Sequence, residues 1–264
     1  MKPGIYYDLG NEEYHSGPGI SKSGLDSILK SPAHYKSRYL SGRQDEPTQA
    51  MLLGSAAHTF ILEPDKFNDE VAIVPNDLNM RTKAGQEWKK ENSDKIILKP
   101  DDLEKIKGMA ESISRHESAN NALSAKGNAE VSIFAELYGP LFKCRPDYLR
   151  DDGIIVDLKT TIDASPESFA RSCVNFGYHR QEALYRMIYK LHFGEEPRGF
   201  IFVAVEKEPP YAVGVYVLGE EELNLGYNQI NNAIDIYLEC IRFDTWPSYS
   251  EKIITLDYPK WAFK

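Results

Sequence analysis

The sequence predicts an α/β (α+β) fold, with a central mixed sheet flanked by helices and a mainly helical N-terminal part. Three observations carry this. The 264-residue chain is 42% hydrophobic and 27% charged, enough apolar surface for a sizeable core. Residues 129–218 contain short runs rich in β-branched and aromatic residues, interrupted by helix-like segments. Residues 1–125 are instead mostly periodic at helical spacing.

The elements follow in chain order. Ser21 or Ser23 can cap a short helix that runs through Leu29. Pro32 can open the next, SPAHYKSRYL. Residues 50–62, AMLLGSAAHTFIL, read as a mostly buried helix that Pro64 stops. Residues 82–93 and 101–116 read as two polar amphipathic helices, with KIIL as a short strand between them. The helical part ends near Asn120-Asn121 or Gly127.

Residues 129–137, AEVSIFAEL, then alternate like a strand with one buried face. Residues 141–149 and 153–161 give two more strands, and RDDG between them has hairpin chemistry. Helices near 166–175 and 178–193, strands at 198–205 and 211–218, and a long helix from Glu220 to about Ile241 complete the chain. The order βββ, α, α, ββ, α suggests a mixed sheet covered by helices. With no repeat and no low-complexity linker, residues 1–264 are expected to form a single domain. In it, residues 1–125 are a helical cap on the sheet core at 126–264.

Composition excludes several classes. No apolar run approaches the ~20 residues of a membrane span. The N-terminus lacks the apolar core of a signal peptide, so a cytoplasmic protein is expected. Cys144, Cys173 and Cys240 are scattered and odd in number, which argues against a disulfide framework or a zinc site. The net charge of −9 argues against a protein that passively coats DNA. The charge is uneven, however. Residues 1–43 carry a net of +2 and residues 195–264 a net of −6.

The segment 145–161, RPDYLRDDGIIVDLKTT, carries the chemistry. Side chains alternate along a strand, so Asp157 and Lys159 share one face and Leu158 takes the other. If 141–149 pairs with 153–161, Asp147 lies beside them. Two carboxylates held together raise one another's pKa unless a cation neutralises them. Mg²⁺ suits such a hard oxygen site, with Mn²⁺ as a substitute. Lys159 can orient or deprotonate a water, or offset charge that develops on a phosphate. An isolated D-x-K is commonly just a weak surface ion pair. Here an apolar run precedes it, a Pro-Asp lies ten residues upstream across a hairpin turn, and Thr160-Thr161 follow.

Pro146-Asp147 followed by Asp157-Leu158-Lys159 resembles the PD-(D/E)xK nuclease fold. The resemblance implies that Asp147 and Asp157 bind metal, that the Leu158 carbonyl completes the shell and that Lys159 assists the attacking water. Gly54, His58 and Glu63, spaced G-x-x-x-H-x-x-x-x-E, are similar to the first motif of the RecB-type branch, in which the histidine borders or ligates the metal. On chemistry alone His58 also reads as a core histidine bonded to backbone. Glu130 reads as a solvated strand acid, or, by resemblance, as a member of the acidic cluster. Gln181 and Tyr185 match the Q-x-x-x-Y motif of the same branch, whose amide and phenol touch DNA or groups around the metal. As bare residues they belong to an amphipathic helix with Leu184, Ile188 and Leu191 buried and with Arg186 and Lys190 spaced i, i+4 on the adjacent face.

The opening segment, YYDLGNEEYHSGPGISKSGLDSILKSPAHYKSRYL, is similar to that of the exonuclease VIII (RecE) nuclease-domain family. That resemblance spans nearly the whole chain. It implies a phage or prophage recombination enzyme in a bacterial host. Such an enzyme digests one strand of duplex DNA from the 5′ end with Mg²⁺. It acts as a ring tetramer beside a RecT-like single-strand annealing protein. Three scattered cysteines do not supply the four ligands of the iron–sulfur relatives. No GxxxxGK[ST] loop is present for a helicase motor. Lys22, Lys30, Lys36, Arg38, Arg43, Arg81, Lys83, Lys89 and Lys90 are candidate phosphate contacts. Tyr35, Tyr39 and Tyr178 are candidate stacking residues. An endonuclease of the same fold, and a non-catalytic DNA-end clamp or scaffold for an annealing protein, are the alternatives.

Overall fold

The computed structural model describes residues 1–42 and 47–263, with main chain only at 260 and 261. Arg43 lies outside the described residues. The chain groups into two compact units: Met1–Lys22 with Asp45–Ile230, and Ser23–Gln44 with Asn231–Lys264.

The elements, in order, are β1 (Gly4–Tyr6), α1 (Asn11–Ser16), α2 (Lys22–Lys30), α3 (Pro32–Tyr35, running on as a π turn over Lys36–Leu40) and α4 (Gln49–Leu62). Then come α5 (Phe67–Glu70), β2 (Val71–Ile73), α6 (Lys83–Glu91), β3 (Ile96–Leu98), α7 (Pro100–Arg115) and α8 (Glu117–Ser124). The strand-rich part holds β4 (Gly127–Ala129), β5 (Ser132–Glu136), β6 (Leu141–Cys144), β7 (Tyr148–Arg150) and β8 (Ile154–Thr161). It is followed by α9 (Pro166–Phe176), α10 (Tyr178–Phe193), β9 (Gly199–Glu206), β10 (Val213–Tyr216) and α11 (Glu220–Phe243).

In the first unit a five-stranded sheet runs in the order β10-β9-β8-β7-β4. It is mixed: β8 and β9 are parallel and the remaining pairs antiparallel. Two smaller sheets were not legible in the sequence. One is β1-β5-β6 and the other is the parallel pair β2-β3. The expected strands at 129–137 and 141–149 are each broken and shared between two sheets. β4 and β7 belong to the five-stranded sheet, β5 and β6 to the three-stranded one.

Both breaks have local causes. Pro146 has no N–H to give a ladder and restricts Arg145 before it. Glu130 does not open a strand; it sits in the bend with φ at 49°. The two bends meet, because Glu130 N–H donates to the Asp147 carbonyl at 3.0 Å. The fold thus brings these two acids together where the chain leaves one sheet for the other.

One face of the five-stranded sheet is packed by helices. Val156, Leu158, Val203 and Val205 form one buried cluster with Leu53, Ala56 and Ala57 of α4, Ile106, Met109 and Ile113 of α7, and Ala119 and Ala122 of α8. Period two on the strands meets period 3.6 on the helices, as core faces require. Gly54 lies at this contact. A Cβ there would come within 3.4 Å of Thr160 Oγ1, so the glycine lets α4 approach β8 closely. Ala183, Leu184 and Ile188 of α10 are also fully buried, whereas Leu191, expected inside, is 49% exposed. Asn120-Asn121 fall within α8, and the helical stretch ends at Ser124.

The N-terminal lead is held by two buried cations. Lys143 Nζ donates to the carbonyls of Tyr14 (2.6 Å) and Gly17 (2.7 Å), closing the end of α1 where carbonyls lack helical partners. Arg145 donates to Ser132 Oγ and to the Leu9 carbonyl, both at 2.8 Å, and lies 4.1 Å over the Tyr14 ring. In the second unit Ser31 caps α3 by accepting from His34 N–H. Tyr35 is buried there, stacked on Tyr39 and Trp246, and so is not an open stacking surface. Among the described residues no helix is long and apolar enough to cross a membrane.

Candidate metal centre and catalytic residues

The last paired residue of β7 is Tyr148, opposite Val156. Beyond it β8 runs on past Leu158, whose N–H no longer has a strand partner on the β7 side. The Asp147 side chain takes that N–H, with Oδ2 accepting at 2.7 Å. His58, on α4, places Nδ1 3.6 Å from the same oxygen. His58, Glu130 and Asp147 each offer a ligand atom, and these atoms lie within 4.8 Å of one another.

Asp157 and Lys159 share one face of β8, and their charged ends are 2.5 Å apart. Asp157 has no exposed surface, while Lys159, Asp147 and His58 keep 18%, 14% and 23% of theirs. The latter three can therefore be reached from solvent, whereas Asp157 cannot. Gln181 Nε2 donates to Asp157 Oδ1. Asp157 Oδ2 is matched by the Lys159 charge but by no hydrogen bond of normal geometry. Lys159 Nζ also lies 4.8 Å over the Tyr178 ring. Asp157 is thus near the His58–Glu130–Asp147 group without belonging to it.

The electrostatics show an acidic site short of positive charge. Burial pushes the Asp157 carboxyl up to about 6; Lys159 opposes the rise and Asp147 adds to it. Burial raises Asp147 too, against the pull of Lys159 and the Leu158 N–H. Glu130 is raised furthest, by burial and then by Asp147, with Arg145 opposing. Burial and the Lys159 charge lower His58 to about 4, so its ring is neutral and can be a ligand. Burial alone would lower Lys159. The Asp157 and Asp147 charges outweigh it and hold the lysine above its ordinary range. Lys159 is thus favoured as an ammonium, the form that can orient a water and stabilise developing negative charge.

This donor set fits a divalent cation. Two carboxylates raised by burial, one of them by the other as well, beside a neutral imidazole are an arrangement a hard dication relieves. His58, Glu130 and Asp147 would hold it, with Asp157 adjacent. Leu158 places its side chain in the core, on the face opposite Asp157, and its main chain at the site.

The Q-x-x-x-Y pair acts inside the site. Gln181 is 8% exposed and its amide is engaged by Asp157. Tyr185 donates its phenol to the Arg145 carbonyl at 3.2 Å, steadying the bend before Pro146. Glu63 pairs with Lys66 at 2.6 Å. Arg186 binds Glu182 at 2.8 Å and Lys190 binds Glu196 at 2.9 Å.

Of the candidate phosphate contacts, Lys22 donates to the Phe176 carbonyl, and Lys83 lies 3.7 Å from Glu87. Arg81 is exposed in the first unit, and Lys36 and Arg38 are exposed in the second. Sequence reasoning missed Arg145 and the role of Tyr178 beneath Lys159. The signal for Arg145 was its place before Pro146, at the bend.

Curated protein sequences give no match. A crystal structure of a Eubacterium rectale protein provisionally named an exonuclease superposes with a TM-score of 0.67 at 15% identity, covering 100% of this chain and 98% of that one. A phage-related exonuclease from Haemophilus somnus 129PT matches at 13% identity and a TM-score of 0.36, over 86% of this chain and 96% of that one. The first likeness establishes a shared fold, and the family match gives that fold as the PD-(D/E)xK nuclease type. Residues 21–258 match the family described as a PDDEXK-like domain of unknown function (DUF3799), and the chain belongs to that family.

Proposed function

We propose that this protein is a Mg²⁺-dependent deoxyribonuclease that digests one strand of duplex DNA from its 5′ end and leaves 3′ single-stranded tails for recombination by strand annealing. One observation carries the reading. The exposed ends of His58, Glu130 and Asp147 converge beside a lysine that its neighbours hold as an ammonium.

Each residue then has a task. Asp147 and Glu130 bring negative charge to one point, and neutral His58 adds a nitrogen ligand. The Leu158 N–H fixes the Asp147 carboxylate. Gln181 fixes Asp157, and Asp157 in turn fixes Lys159. Lys159 points positive charge at the place where a phosphodiester gains negative charge during hydrolysis. A bound divalent ion would supply a Lewis acid for the phosphate and acidify the attacking water. Contacts to phosphate carry no base information, so digestion without sequence preference is expected.

The 5′ polarity, a ring tetramer, a RecT-like annealing partner and a place in the cytoplasm of a phage- or prophage-bearing bacterium complete the proposal. They are supported by the resemblance of the opening segment to the exonuclease VIII family. A ring with a basic bore would reconcile the acidic net charge with DNA binding.

The experiment is digestion of end-labelled linear and closed circular duplex, with Mg²⁺ or with chelator, by wild type and Lys159→Ala. Wild type should shorten the linear duplex from its 5′ ends only with Mg²⁺ and spare the circle, while Lys159→Ala should leave both duplexes intact. Cutting of the circle would identify an endonuclease. Binding of ends without digestion would identify a clamp.

A further inference from the structure

α9 ends at Phe176 and α10 begins at Tyr178, with Gly177 between them in the left-handed region at φ 65°. This junction lays the two aromatic rings against each other. Phe176 and Tyr178 stack with centroids 5.8 Å apart and planes 25° from parallel. Tyr178 continues onto buried Phe202 at 5.8 Å and 23°. Three near-parallel rings thus lie in succession between the core and the surface. They end at Phe176, which is 60% exposed.

Single exposed apolar residues are ordinary on protein surfaces. This one differs in what it continues. Tyr178, the ring beneath it, also carries the Lys159 ammonium at 4.8 Å. The open aromatic surface is therefore one ring from the lysine at the centre of the site. It is also held firmly. The Gly177 N–H closes α9 on the Cys173 and Val174 carbonyls, and Lys22 donates to the Phe176 carbonyl itself. Lys22 brings a positive charge to the same edge.

An open aromatic ring beside cationic groups, next to a site for phosphodiester cleavage, has the features that recognise a nucleobase and its phosphate. Stacking is tolerant of base identity because every base has a π-face. We infer that Phe176 is a stacking platform for the base that flanks the scissile phosphate, its exposed ring adding that base to the Phe202, Tyr178 and Phe176 ring contacts. The inference rests on the proposed nuclease reading and adds a base subsite to it.

The test separates binding from hydrolysis. Fluorescence anisotropy is used to measure the binding of a labelled duplex carrying a base at its 5′-terminal nucleotide, and of the same duplex with that nucleotide abasic. Ca²⁺ replaces Mg²⁺ so that the duplex persists. Wild type and Phe176→Trp should bind the base-bearing end about tenfold or more tightly than the abasic end, and Phe176→Ala should bind the two alike. A wild type that does not discriminate, or a Phe176→Ala variant that still does, overturns the platform. Digestion with Mg²⁺ is scored separately. Loss of discrimination with digestion intact sinks the platform alone. Discrimination without digestion sinks the hydrolytic reading and leaves the base subsite standing.

Discussion

The Leu158 main-chain N–H donates to Asp147 Oδ2 at 2.7 Å, and this bond links the two halves of the motif. It exists because β7 begins only at Tyr148, leaving the N–H unpaired on that side. Leaving a buried N–H unmet would cost about 1–3 kcal/mol, so the carboxylate serves the fold as well as the site. Asp147→Asn keeps an acceptor oxygen and removes the charge. We expect it to shift stability by less than about 1 kcal/mol and to weaken activity at least about a hundredfold. Urea unfolding and digestion assays on one preparation check both halves. A large loss of stability would show that Asp147 matters chiefly as a charge in the fold.

Lys159 makes a second prediction. Its ammonium is held above the ordinary lysine range by Asp157 and Asp147, against the opposing effect of burial. An ammonium acting by charge should be replaceable in part by another cation. Lys159→Ala should lose about a hundredfold or more in kcat, and Lys159→Arg should lose less. The alkaline side of the wild-type pH–rate profile should show no fall from lysine deprotonation below about pH 10. A lysine acting as a base would give the reverse, with activity rising as it loses its proton.

Glu130 yields a pH dependence. Burial and Asp147 raise its carboxyl well above the usual range, so the folded state keeps a proton that the unfolded state releases. Between the unfolded and folded pKa the folded state binds more protons, and stability falls as pH rises. Without metal, thermal stability should therefore decline by a few degrees from mildly acid to mildly alkaline pH, and Glu130→Gln should flatten that decline. Adding Mg²⁺ should raise the melting temperature more at pH 8 than at pH 6, because protons compete with the metal for the same oxygens. An equal Mg²⁺ effect at both pH values in wild type would place the ion elsewhere.

How much of this was legible follows from where the determinants lie. Asp157 and Lys159 were readable because strand alternation is a local rule, and α10 with Gln181 was readable from its helical period. The pairing of β7 with β8 followed from RDDG and the flanking apolar runs. What the sequence hid is non-local. Nothing near Glu130 says that the chain bends there with a positive φ, because the bend is set by Asp147 seventeen residues on. The split of two apparent strands between two sheets was signalled only by Pro146. Lys143 and Arg145 carry no local sign of burial, yet they are buried under an N-terminal lead more than a hundred residues away. Tyr178 as the shelf for Lys159 is likewise a tertiary contact with no periodic signature.

The Q-x-x-x-Y pair gives the last prediction. Gln181 donates to Asp157 Oδ1, inside a site where Asp157 has no exposed surface. Gln181→Ala strands that oxygen, at a cost of about 1–3 kcal/mol, and frees Asp157 to swing away from Lys159. Tyr185→Phe removes only a 3.2 Å bond to the Arg145 carbonyl, worth about 0.5–1.5 kcal/mol. Both should lower kcat with little change in KM, because neither needs to touch substrate. Gln181→Ala should have the larger effect, and Gln181→Glu should be worse still near neutral pH, since it sets a second carboxylate against Asp157. Steady-state kinetics on a short duplex, together with melting temperatures, provide the measurement. A rise in KM without a fall in kcat for Gln181→Ala would show the amide acting on DNA directly, and the positioning role would then be wrong.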